Sequence, residues 1–196
     1  MEERPLTRIS DKVWKLALAS NLYYINLGKE RVLIDTGDRK HRRFVLQFLE
    51  KLVDFKSITK IIFTHLHYDH IGNFDLFPNA TLYASSEEIN CLRKDSVATI
   101  LAEEIAEKFM KEALQNLRST DDLHINELQI IHTPGHTKGS ICIWFPEEKV
   151  LFTGDTIFKN GYGRTDLPTS APNNLHTSIL KLLPFAYKHL CPGHDY

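Results

Sequence analysis

The stretch Thr64-His65-Leu66-His67-Tyr68-Asp69-His70-Ile71-Gly72 places three histidines and an aspartate within six positions. It directly follows Ile61-Ile62-Phe63, an apolar run that is typical of a buried strand. The stretch therefore begins where a strand ends in a loop. Because side chains alternate along an extended chain, we expect the first two histidines and Asp69 to lie on one side, and His70 to follow as the backbone turns.

The side chains of this stretch are of the types that bind divalent metals. Imidazole nitrogens and carboxylate oxygens suit zinc and other ions of similar chemistry. The stretch offers four such groups: His65, His67, Asp69 and His70. A single catalytic zinc usually has three protein ligands, so the stretch predicts two adjacent metal ions.

Three later segments repeat the pattern of a strand-like run that ends in a turn with a histidine or an aspartate. The turns are Thr133-Pro134-Gly135-His136-Thr137, Thr153-Gly154-Asp155-Thr156 and Pro192-Gly193-His194-Asp195. Four strand ends that supply ligands predict one metal centre. Asp155 is a lone carboxylate between two other ligand-bearing turns, and a carboxylate between two cations spreads its charge over both. We therefore predict that Asp155 bridges the two ions.

Length, composition and charge indicate an ordinary globular protein. The chain has 196 residues, of which 42% are hydrophobic and 25% charged, and residues 1–196 are predicted to form a single domain with a full core. The net charge of -1 gives no basic field that would attract nucleic acid or an anionic membrane. No run approaches the roughly 20 apolar residues of a membrane span. The expected partner is a small-molecule substrate, while the oligomeric state stays open.

The cysteines and the N-terminal residues bear on the compartment. Cys91, Cys142 and Cys191 form no CxxC pair of the kind that binds metals, and their number is odd. The residues from Met1 to Pro5 contain no apolar leader. Free thiols and the lack of a leader favour a reducing compartment, so we expect a cytoplasmic protein.

Asp35 is a further carboxylate at a strand end. Residues 13–19, 22–27 and 31–35 are predicted strands, and the last two form a hairpin around Gly28-Lys29-Glu30. Asp35 could accept a hydrogen bond from a ligand histidine or steady the loop that carries one. The alternative is an aspartate that stabilises a turn or caps the following helix.

Two helical regions are predicted outside the strands. The apolar residues of 39–55 recur at helical spacing and predict an amphipathic helix on one sheet face. Residues 86–117 are predicted to be helical, with a start at Ser85-Ser86-Glu87-Glu88 and a break near Asp95-Ser96. This second region would be either a surface helix pair packed on the core, or a lid over the metal site that shapes substrate choice or a dimer face.

Taken in order, these motifs resemble those of the metallo-β-lactamase superfamily. The matching positions are Asp35, the His-x-His-x-Asp-His cluster at 65–70, His136, Asp155 and His194. Within the superfamily the chain is similar to the glyoxalase II-like, hydroxyacylglutathione hydrolase group in four segments: Thr-Pro-Gly-His-Thr at 133–137, Thr-Gly-Asp-Thr-Ile-Phe at 153–158, Gly-Arg-Thr-Asp-Leu-Pro at 163–168 and Cys-Pro-Gly-His-Asp-Tyr at 191–196. The resemblance implies an α/β fold, a four-layer αβ/βα sandwich of two sheets with helices outside and the metal site at one edge.

The resemblance also implies a role for each ligand. His65, His67 and His136 would hold the first ion, Asp69, His70 and His194 the second, and Asp155 would bridge them. Zinc is the metal expected first, with iron or manganese as alternatives.

The chain departs from glyoxalase II in three places. It stops two residues after His194, where glyoxalase II continues into a helical extension that helps bind glutathione. It also has Gly72-Asn73 and Thr169-Ser170 where related sequences often have Gly-Gly.

Arg164 and Tyr162 are candidate substrate-binding residues. In glyoxalase II a basic residue near the position of Arg164 contacts the carboxylate of the substrate, and a guanidinium is well shaped for that contact. The alternative for Arg164 is an ion pair with Asp166 or another nearby acid.

The expected reaction is hydrolysis of small thioesters or esters. Two cations would lower the pKa of a shared water, and the bridging hydroxide would attack a carbonyl whose oxygen one cation polarises. A thiolate leaves readily, so a thioester needs little acid assistance. Asp69 would orient the hydroxide or carry a proton, with plain metal ligation as the simpler alternative.

Other activities of similar proteins stay open. An iron-dependent persulfide dioxygenase would use His65, His136 and Asp155. A lactonase or β-lactamase would differ in the leaving group, and Asp155 and the lack of a secretory leader argue against the β-lactamase. A nucleic-acid phosphodiesterase would need a basic surface or an added domain. A purely structural metal site would have no use for seven ligands around an open position.

Overall fold

The computed structural model describes residues 5–196, over which the chain forms two main sheets, a small hairpin and six α-helices. The strands of the larger sheet lie side by side in chain order: β1 (Leu6–Arg8), β2 (Val13–Leu16), β3 (Leu22–Asn26), β4 (Arg31–Ile34), β5 (Lys60–Ile62), β6 (Thr81–Ala84) and β7 (Leu117–Ser119). Neighbours are antiparallel from β1 to β4 and parallel from β4 to β7. The change follows from the connections, because tight turns such as that at Gly28 join antiparallel strands, whereas parallel strands need longer crossovers.

The smaller sheet and the hairpin come from the second half of the chain. Their strands are β8 (Gln129–His132), β9 (Ile141–Phe145), β10 (Val150–Gly154), β11 (Ile157–Phe158), β12 (Gly161–Tyr162) and β13 (His189–Pro192). The smaller sheet has the order β13-β10-β9-β8, and β11 pairs with β12. Strand β9 is antiparallel to both neighbours and β10 is parallel to β13. Consequently β8, β10 and β13 run in one direction and end at one edge of the sheet.

The helices lie in the connections between strands. They are α1 (Arg42–Phe44), α2 (Tyr68–Ile71), α3 (Ser86–Lys94), α4 (Ser96–Ile100), α5 (Glu103–Glu112) and α6 (Leu175–Leu182). Short 3-10 turns lie at Arg39–His41, Phe55–Ser57, Phe74–Leu76, Leu114–Asn116, Thr120–Asp122 and Pro172–Asn174, and Val45–Leu49 forms a wider π-type turn. Among the residues that the structure describes, no helix combines the length and apolar composition that crossing a bilayer requires.

Three apolar clusters hold these elements in four layers. Between the sheets, Tyr23 of the larger sheet lies edge-on to Phe152 of the smaller, with ring centroids 5.2 Å apart. The other face of the larger sheet packs against the helices, with Phe109 of α5 fully buried among them. The other face of the smaller sheet packs against α6, through Leu151 and Leu182. The four-layer αβ/βα sandwich predicted from the sequence is therefore confirmed.

The helix predicted for residues 39–55 is wrong in length. The helical backbone starts at Arg39 but ends with the π-type turn at Leu49. Asp54 then caps a separate 3-10 turn, because its carboxylate accepts a hydrogen bond from Lys56 N at 3.0 Å. An aspartate that binds the backbone two residues ahead competes with helix continuation. The helical spacing of apolar residues therefore continues beyond Leu49, where the helical backbone ends.

The helical region predicted for 86–117 is confirmed at its start and at its break near Asp95, but it differs in two respects. A second break at Leu101 and Ala102 separates α4 from α5, and α5 ends at Glu112, before Leu117 begins β7. Ser85 Oγ accepts a hydrogen bond from Glu88 N at 3.2 Å and caps α3. Asp95 ends α3 and caps α4, since its carboxylate accepts a hydrogen bond from Ala98 N at 2.9 Å. The sequence patterns do not identify α6, β1 or β7, which are short or lack a strong apolar period.

Candidate metal centre

The candidate ligands meet at one edge of the two sheets because the strands before them end there. Strands β4 and β5 are parallel neighbours, and Asp35 and the 65–70 stretch follow their ends. Strands β8, β10 and β13 share a direction, and they are followed by His136, Asp155 and His194. The structure thus brings together all the ligands that the sequence predicts.

The backbone after His67 is helical rather than extended. His67 precedes α2 in an extended conformation (φ -66°, ψ 148°), whereas Asp69 and His70 lie within the helix. The predicted alternation of side chains is therefore wrong beyond His67. Contacts from the neighbouring loop hold this turn, since Thr36 N and Thr36 Oγ1 both donate to the carbonyl of His70, at 2.7 and 3.1 Å.

The first ligand group consists of His65, His67 and His136. One ring nitrogen of each lies within 4.8 Å of the others, and Nδ1 of His67 is 2.9 Å from Nε2 of His136. Burial lowers the pKa of His65 well below its ordinary value. Burial, aided by the proximity of His136, lowers the pKa of His67 to about 3. Both rings are uncharged at neutral pH, which is the form that binds a cation.

The second ligand group consists of Asp69, His70 and His194. Oδ2 of Asp69 lies 3.4 Å from Nε2 of His194 and 3.9 Å from Nε2 of His70. Burial lowers the pKa of His194, but hydrogen bonds to Asp155 and Asp69 outweigh burial and raise the pKa to about 9. Burial also lowers the pKa of His70, but the neighbouring carboxylates outweigh burial and raise this pKa well above its ordinary value. Burial raises the pKa of Asp69, but the two histidines hold it below its usual range.

The carboxylate of Asp155 lies between the two groups. Its Oδ2 is 3.5 Å from Nε2 of His136 and 3.4 Å from Nε2 of His194, and its Oδ1 is 3.4 Å from Nε2 of His70. Burial raises the pKa of Asp155, but His70 and His194 outweigh burial and hold the pKa well below its usual range. The carboxylate is therefore charged, in the position expected of a bridging ligand.

Hydrogen bonds to the outer ring nitrogens orient three of the histidines. The contacts are His70 Nδ1 with Asp35 Oδ2 at 2.8 Å, His136 Nδ1 with Arg164 O at 2.8 Å and His194 Nδ1 with Ala19 O at 2.5 Å. Carboxylate and carbonyl oxygens only accept, so Nδ1 carries the proton in each ring. In the neutral ring Nε2 is then left bare and faces the centre.

Asp35 contacts a candidate ligand rather than a helix start. Besides His70, it accepts hydrogen bonds from Thr64 N and Thr64 Oγ1, each at 2.8 Å. The cap of the following helical turn is Asp38, whose carboxylate accepts from Lys40 N at 2.9 Å. Of the two roles considered for Asp35, the structure shows the first: Asp35 contacts His70, a candidate ligand, and does not cap the following helical turn.

Several buried polar atoms at the centre have no hydrogen-bond partner among the described residues. They are Nε2 of His65, Nε2 of His70 and Oδ1 of Asp155. Buried polar atoms in folded proteins are nearly always paired. Divalent cations would satisfy these atoms, and a mixture of imidazole and carboxylate donors suits zinc or iron. The residues therefore fit a centre of two cations.

An open cavity of about 410 Å³ lies over the candidate ligands. Its wall also includes apolar and aromatic side chains: Tyr68, Leu101, Phe158, Leu167 and Tyr196. Leu101 ends α4 in a left-handed backbone conformation (φ 65°) and brings the 86–117 region to the cavity. This conformation is not predictable from a leucine, because a left-handed residue is usually glycine or asparagine.

The candidate substrate-binding residues lie at the rim of the cavity. Tyr162 is 62% exposed and, like Arg164, lines the opening. The guanidinium of Arg164 donates to both carboxylate oxygens of Asp166, at 2.7 and 2.8 Å. This is the ion pair considered as the alternative for Arg164.

Asn73 and Ser170, which the sequence marks only as departures from Gly-Gly, hold the loops around the centre through contacts that were not predicted. Asn73 Nδ2 donates to the carbonyls of Thr36, Gly37 and Asp38, at 2.9, 3.2 and 3.1 Å. Ser170 Oγ donates to the carbonyl of His136 at 2.7 Å. Both departures from Gly-Gly therefore add contacts to ligand-bearing segments.

Comparisons with known proteins agree with this geometry. The protein-family model of the metallo-β-lactamase superfamily matches residues 16–194. A protein named as a probable metallo-hydrolase from Streptococcus pyogenes serotype M6 is 33% identical over 193 residues, covering 89% of this chain and 78% of that protein. A hydroxyacylglutathione hydrolase from Francisella tularensis subsp. novicida is 31% identical over 146 residues, covering 71% of this chain and 50% of that enzyme. The solved structure of TTHA1623 in a di-iron-bound form superposes with a TM-score of 0.68 at 26% identity, covering 90% of this chain and 88% of that one.

Proposed function

The chain belongs to the metallo-β-lactamase superfamily and is a metal-dependent hydrolase, and on this premise we propose that it cleaves small thioesters or esters, as glyoxalase II-like hydrolases do. The observation that carries the proposal is the position of Asp155. Its Oδ2 lies within 3.5 Å of Nε2 of both His136 in the first ligand group and His194 in the second. A carboxylate in this position suits a pair of cations, and paired cations are the arrangement that metal-assisted hydrolysis of acyl bonds uses.

The proposal assigns each ligand group to one cation. His65, His67 and His136 would hold the first, Asp69, His70 and His194 would hold the second, and Asp155 would be shared by both. Zinc suits this mixture of nitrogen and oxygen donors, and the di-iron-bound relative supports iron as the alternative.

When bound, the two cations would supply hydroxide from water and polarise the substrate carbonyl. Asp69 lines the cavity, and its charged carboxylate can orient the attacking water by accepting a hydrogen bond, or can accept its proton. Asp35, through His70, keeps one ligand ring in the required orientation.

The cavity wall would bind the two ends of the substrate. Its apolar side, with Leu101 and Phe158, suits a short acyl chain and excludes water from it. At the rim, Arg164 can exchange Asp166 for a carboxylate of the thiol carrier, and Tyr162 lies beside it. A thiol with a pKa of about 8.5 leaves as the thiolate, so the absence of an assigned acid fits a thioester.

The similarity to the Francisella hydroxyacylglutathione hydrolase supports this substrate class. Because the match covers half the length of that enzyme, glutathione recognition is part of the proposal.

The dioxygenase alternative fits the geometry less well. An iron-dependent persulfide dioxygenase would need His65, His136 and Asp155 only. Nε2 of His70, buried and without a partner among the described residues, would then have no function, whereas a second cation gives it one.

The experiment is to purify the protein without chelators, measure zinc, iron and manganese per chain, and assay S-lactoylglutathione hydrolysis. The same preparation is tested with simple aryl esters, a lactone, a chromogenic cephalosporin and, in an oxygen electrode, glutathione persulfide. Two metals per chain with thioester turnover above the rates for the other substrates supports the proposal. One iron per chain, no thioester turnover and oxygen uptake with the persulfide would move the protein to the dioxygenase branch. Faster hydrolysis of the lactone or of the cephalosporin than of the thioester would instead identify the protein as a lactonase or a β-lactamase.

A further inference from the structure

Glu88 is a buried acid that the proposed chemistry does not use. It lies in the first turn of α3 with 0% of its surface exposed. Burial raises the pKa of its carboxyl, as expected for an acid removed from water. Glutamate is rarely buried to this extent unless its oxygens are paired.

Both carboxylate oxygens of Glu88 accept hydrogen bonds from distant parts of the chain. Oε2 accepts from Leu66 N at 2.9 Å. Oε1 accepts from Thr137 Oγ1 at 2.5 Å and from Gly139 N at 3.2 Å. All three donors are therefore in loops outside the helix of Glu88.

These donors belong to the two loops that carry the first ligand group. We call residues 63–67 the HxH loop and residues 133–140 the His136 loop. Leu66 stands between the two histidines of the HxH loop, and Thr137 directly follows His136. Glu88 therefore joins the loops at the residues next to the candidate ligands.

The start of α3 departs from the usual capping box. In a Ser-x-x-Glu box the serine accepts from the glutamate N–H, and the glutamate side chain returns to the serine N–H. Ser85 makes its half of the box with Glu88 N at 3.2 Å. The Glu88 carboxylate faces the two loops instead, and Ser85 Oγ also donates to the carbonyl of Gly139 at 2.6 Å.

The His136 loop packs directly on this helix start. A Cβ at Gly139 would lie 2.4 Å from Glu88 N and 2.5 Å from Ser85 Oγ. Only a glycine allows so close an approach, which places the Gly139 N–H within reach of Oε1 of Glu88.

We propose that Glu88 is a positioning residue that fixes the HxH loop against the His136 loop and so preorganises the first ligand group. Apart from the contact between the His67 and His136 rings, the HxH loop is joined to this part of the chain at one point, where Ile141 N, directly after the His136 loop, donates to Thr64 O at 2.9 Å. Glu88 adds a second point of attachment, at Leu66 in one loop and at Thr137 and Gly139 in the other. Two points fix the relative orientation of the loops, which one point leaves free to pivot.

A carboxylate is required at this position because all three partners donate hydrogen bonds and need acceptor oxygens. An apolar side chain of similar size would fill the space but leave Leu66 N and Gly139 N unpaired. Glutamine has the right shape but only one acceptor oxygen. Its NH₂ group would face a backbone N–H in one loop or the other, so Glu88→Gln releases one attachment while preserving volume.

The proposal rests on the proposed metal binding, and its test is the affinity of each site. Metal-free wild type, Glu88→Gln, Thr137→Val and the control Glu87→Gln are titrated with Co²⁺, following its visible absorption. Glu87 is the exposed neighbour of Glu88 on the same turn. Two Co²⁺ ions per chain are expected to bind. The variants His136→Ala and His194→Ala identify which bound Co²⁺ equivalent belongs to which ligand group. Thr137→Val removes a single donor, and it decides the question if Glu88→Gln does not fold.

We expect Glu88→Gln to weaken the first-group equivalent by about ten- to hundredfold and to change its absorption spectrum, while the second-group equivalent stays within about threefold. Thr137→Val should weaken the same equivalent less, and Glu87→Gln should change neither. Folded Glu88→Gln with wild-type affinity at both sites would overturn the proposal, and so would equal weakening of both. If Glu88→Gln does not fold, unchanged affinities in Thr137→Val overturn it. Wild type that binds no cobalt would instead refute the metal centre itself.

Discussion

Oδ2 of Asp35 lies 2.8 Å from Nδ1 of His70, and both side chains are buried. The same oxygen accepts a hydrogen bond from Thr64 Oγ1, and Oδ1 accepts one from Thr64 N. A charged carboxylate cannot donate, so the proton of this contact belongs to His70. The contact therefore decides which nitrogen of the ring can serve as a ligand.

Asp35→Asn should reverse the direction of the hydrogen bond to His70 without disturbing the backbone. Asp35 has φ 59°, a left-handed conformation that asparagine tolerates well. If the amide nitrogen replaces Oδ2, it donates to Nδ1 of His70 and moves the ring proton to Nε2, which then cannot bind a cation. We expect the affinity of the second ligand group to fall by about ten- to hundredfold, as measured by cobalt titration.

The matched control for Asp35→Asn is Asp38→Asn, three residues along the same loop. Asparagine caps a helical turn as well as aspartate does, so this variant should bind both equivalents as wild type does. A similar loss in both variants would mean that the loop as a whole, rather than the contact with His70, determines affinity.

His65→Ala and Asp155→Ala should each abolish hydrolysis with the fold largely retained. Each variant removes a ligand that the proposed pair of cations requires, while the sheets and the apolar clusters are untouched. The measurements are metal content, turnover and circular dichroism. His176→Ala, at an exposed position on α6, is the control and should keep full activity. Turnover by either folded ligand variant would contradict the assignment of the centre.

Leu101→Gly should change substrate preference more than stability. A leucine with φ 65° carries roughly 1–2 kcal/mol of backbone strain that glycine does not, and removal of this strain offsets the lost side-chain contacts. The cavity loses part of its apolar wall, so KM for substrates with branched acyl chains should rise several-fold while kcat changes little. The readout is KM and kcat across a series of straight and branched acyl groups.

Lys149→Gly provides the comparison for Leu101→Gly. Lys149 also has a left-handed backbone (φ 52°), but it is exposed and lies at the end of β10 away from Asp155. Glycine there should leave KM unchanged and raise the free energy of unfolding by up to about 1 kcal/mol. If Leu101→Gly also leaves KM unchanged for every acyl group, Leu101 does not shape the binding of substrate.

Asp75→Asn should destabilise the fold in a pH-dependent manner. Asp75 pairs with Arg42 at 2.6 Å, Arg39 at 3.3 Å and Lys108 of α5 at 3.4 Å. Burial raises the pKa of Asp75, but these cations outweigh burial and hold the pKa below its ordinary value. Stability from a lowered carboxyl pKa is present above the pKa of the unfolded chain and is lost as the pH falls through the folded pKa. We expect a cost of about 1 kcal/mol at pH 7, because the cluster is partly exposed.

Urea unfolding of wild type and Asp75→Asn between pH 2 and pH 7 checks this prediction. The difference should shrink below about pH 4 and should also shrink in 1 M salt. Asp11→Asn is the control, since the Asp11 pair with Arg8 is largely exposed and should contribute nothing measurable. A difference that is constant with pH would mean that Asp75 acts through packing or neutral hydrogen bonds rather than charge.

The ligand positions could be predicted from the sequence because each follows an apolar run and because imidazole and carboxylate groups have few other uses in such a pattern. His136 and Asp155 are separated by a full hairpin, yet the pattern places both at strand ends, and the parallel course of β8 and β10 brings them together. The sequence also predicted the break at Asp95, since an aspartate that caps one helix commonly ends another.

What the sequence did not reveal depends on contacts through space. Leu101 reaches the cavity through a left-handed backbone that nothing in its side chain favours. Glu88 was predicted only as part of a helix start, because its real partners are 22 to 51 residues away. The helical course of Asp69 and His70 depends on Thr36 in another loop, so local alternation was a poor guide there.

The contact of His194 Nδ1 with Ala19 O joins residues 175 positions apart, and Asn21 N donates to Gly193 O at 2.7 Å. The second ligand group is thus closed by contacts between the turn that joins β2 to β3 and the segment that follows β13. The first ligand group also depends on later residues, since Arg164 O orients His136, but all of its direct contacts close before residue 165. The second ligand group instead closes a loop of 175 residues, so its geometry requires both ends of the described chain to be folded together.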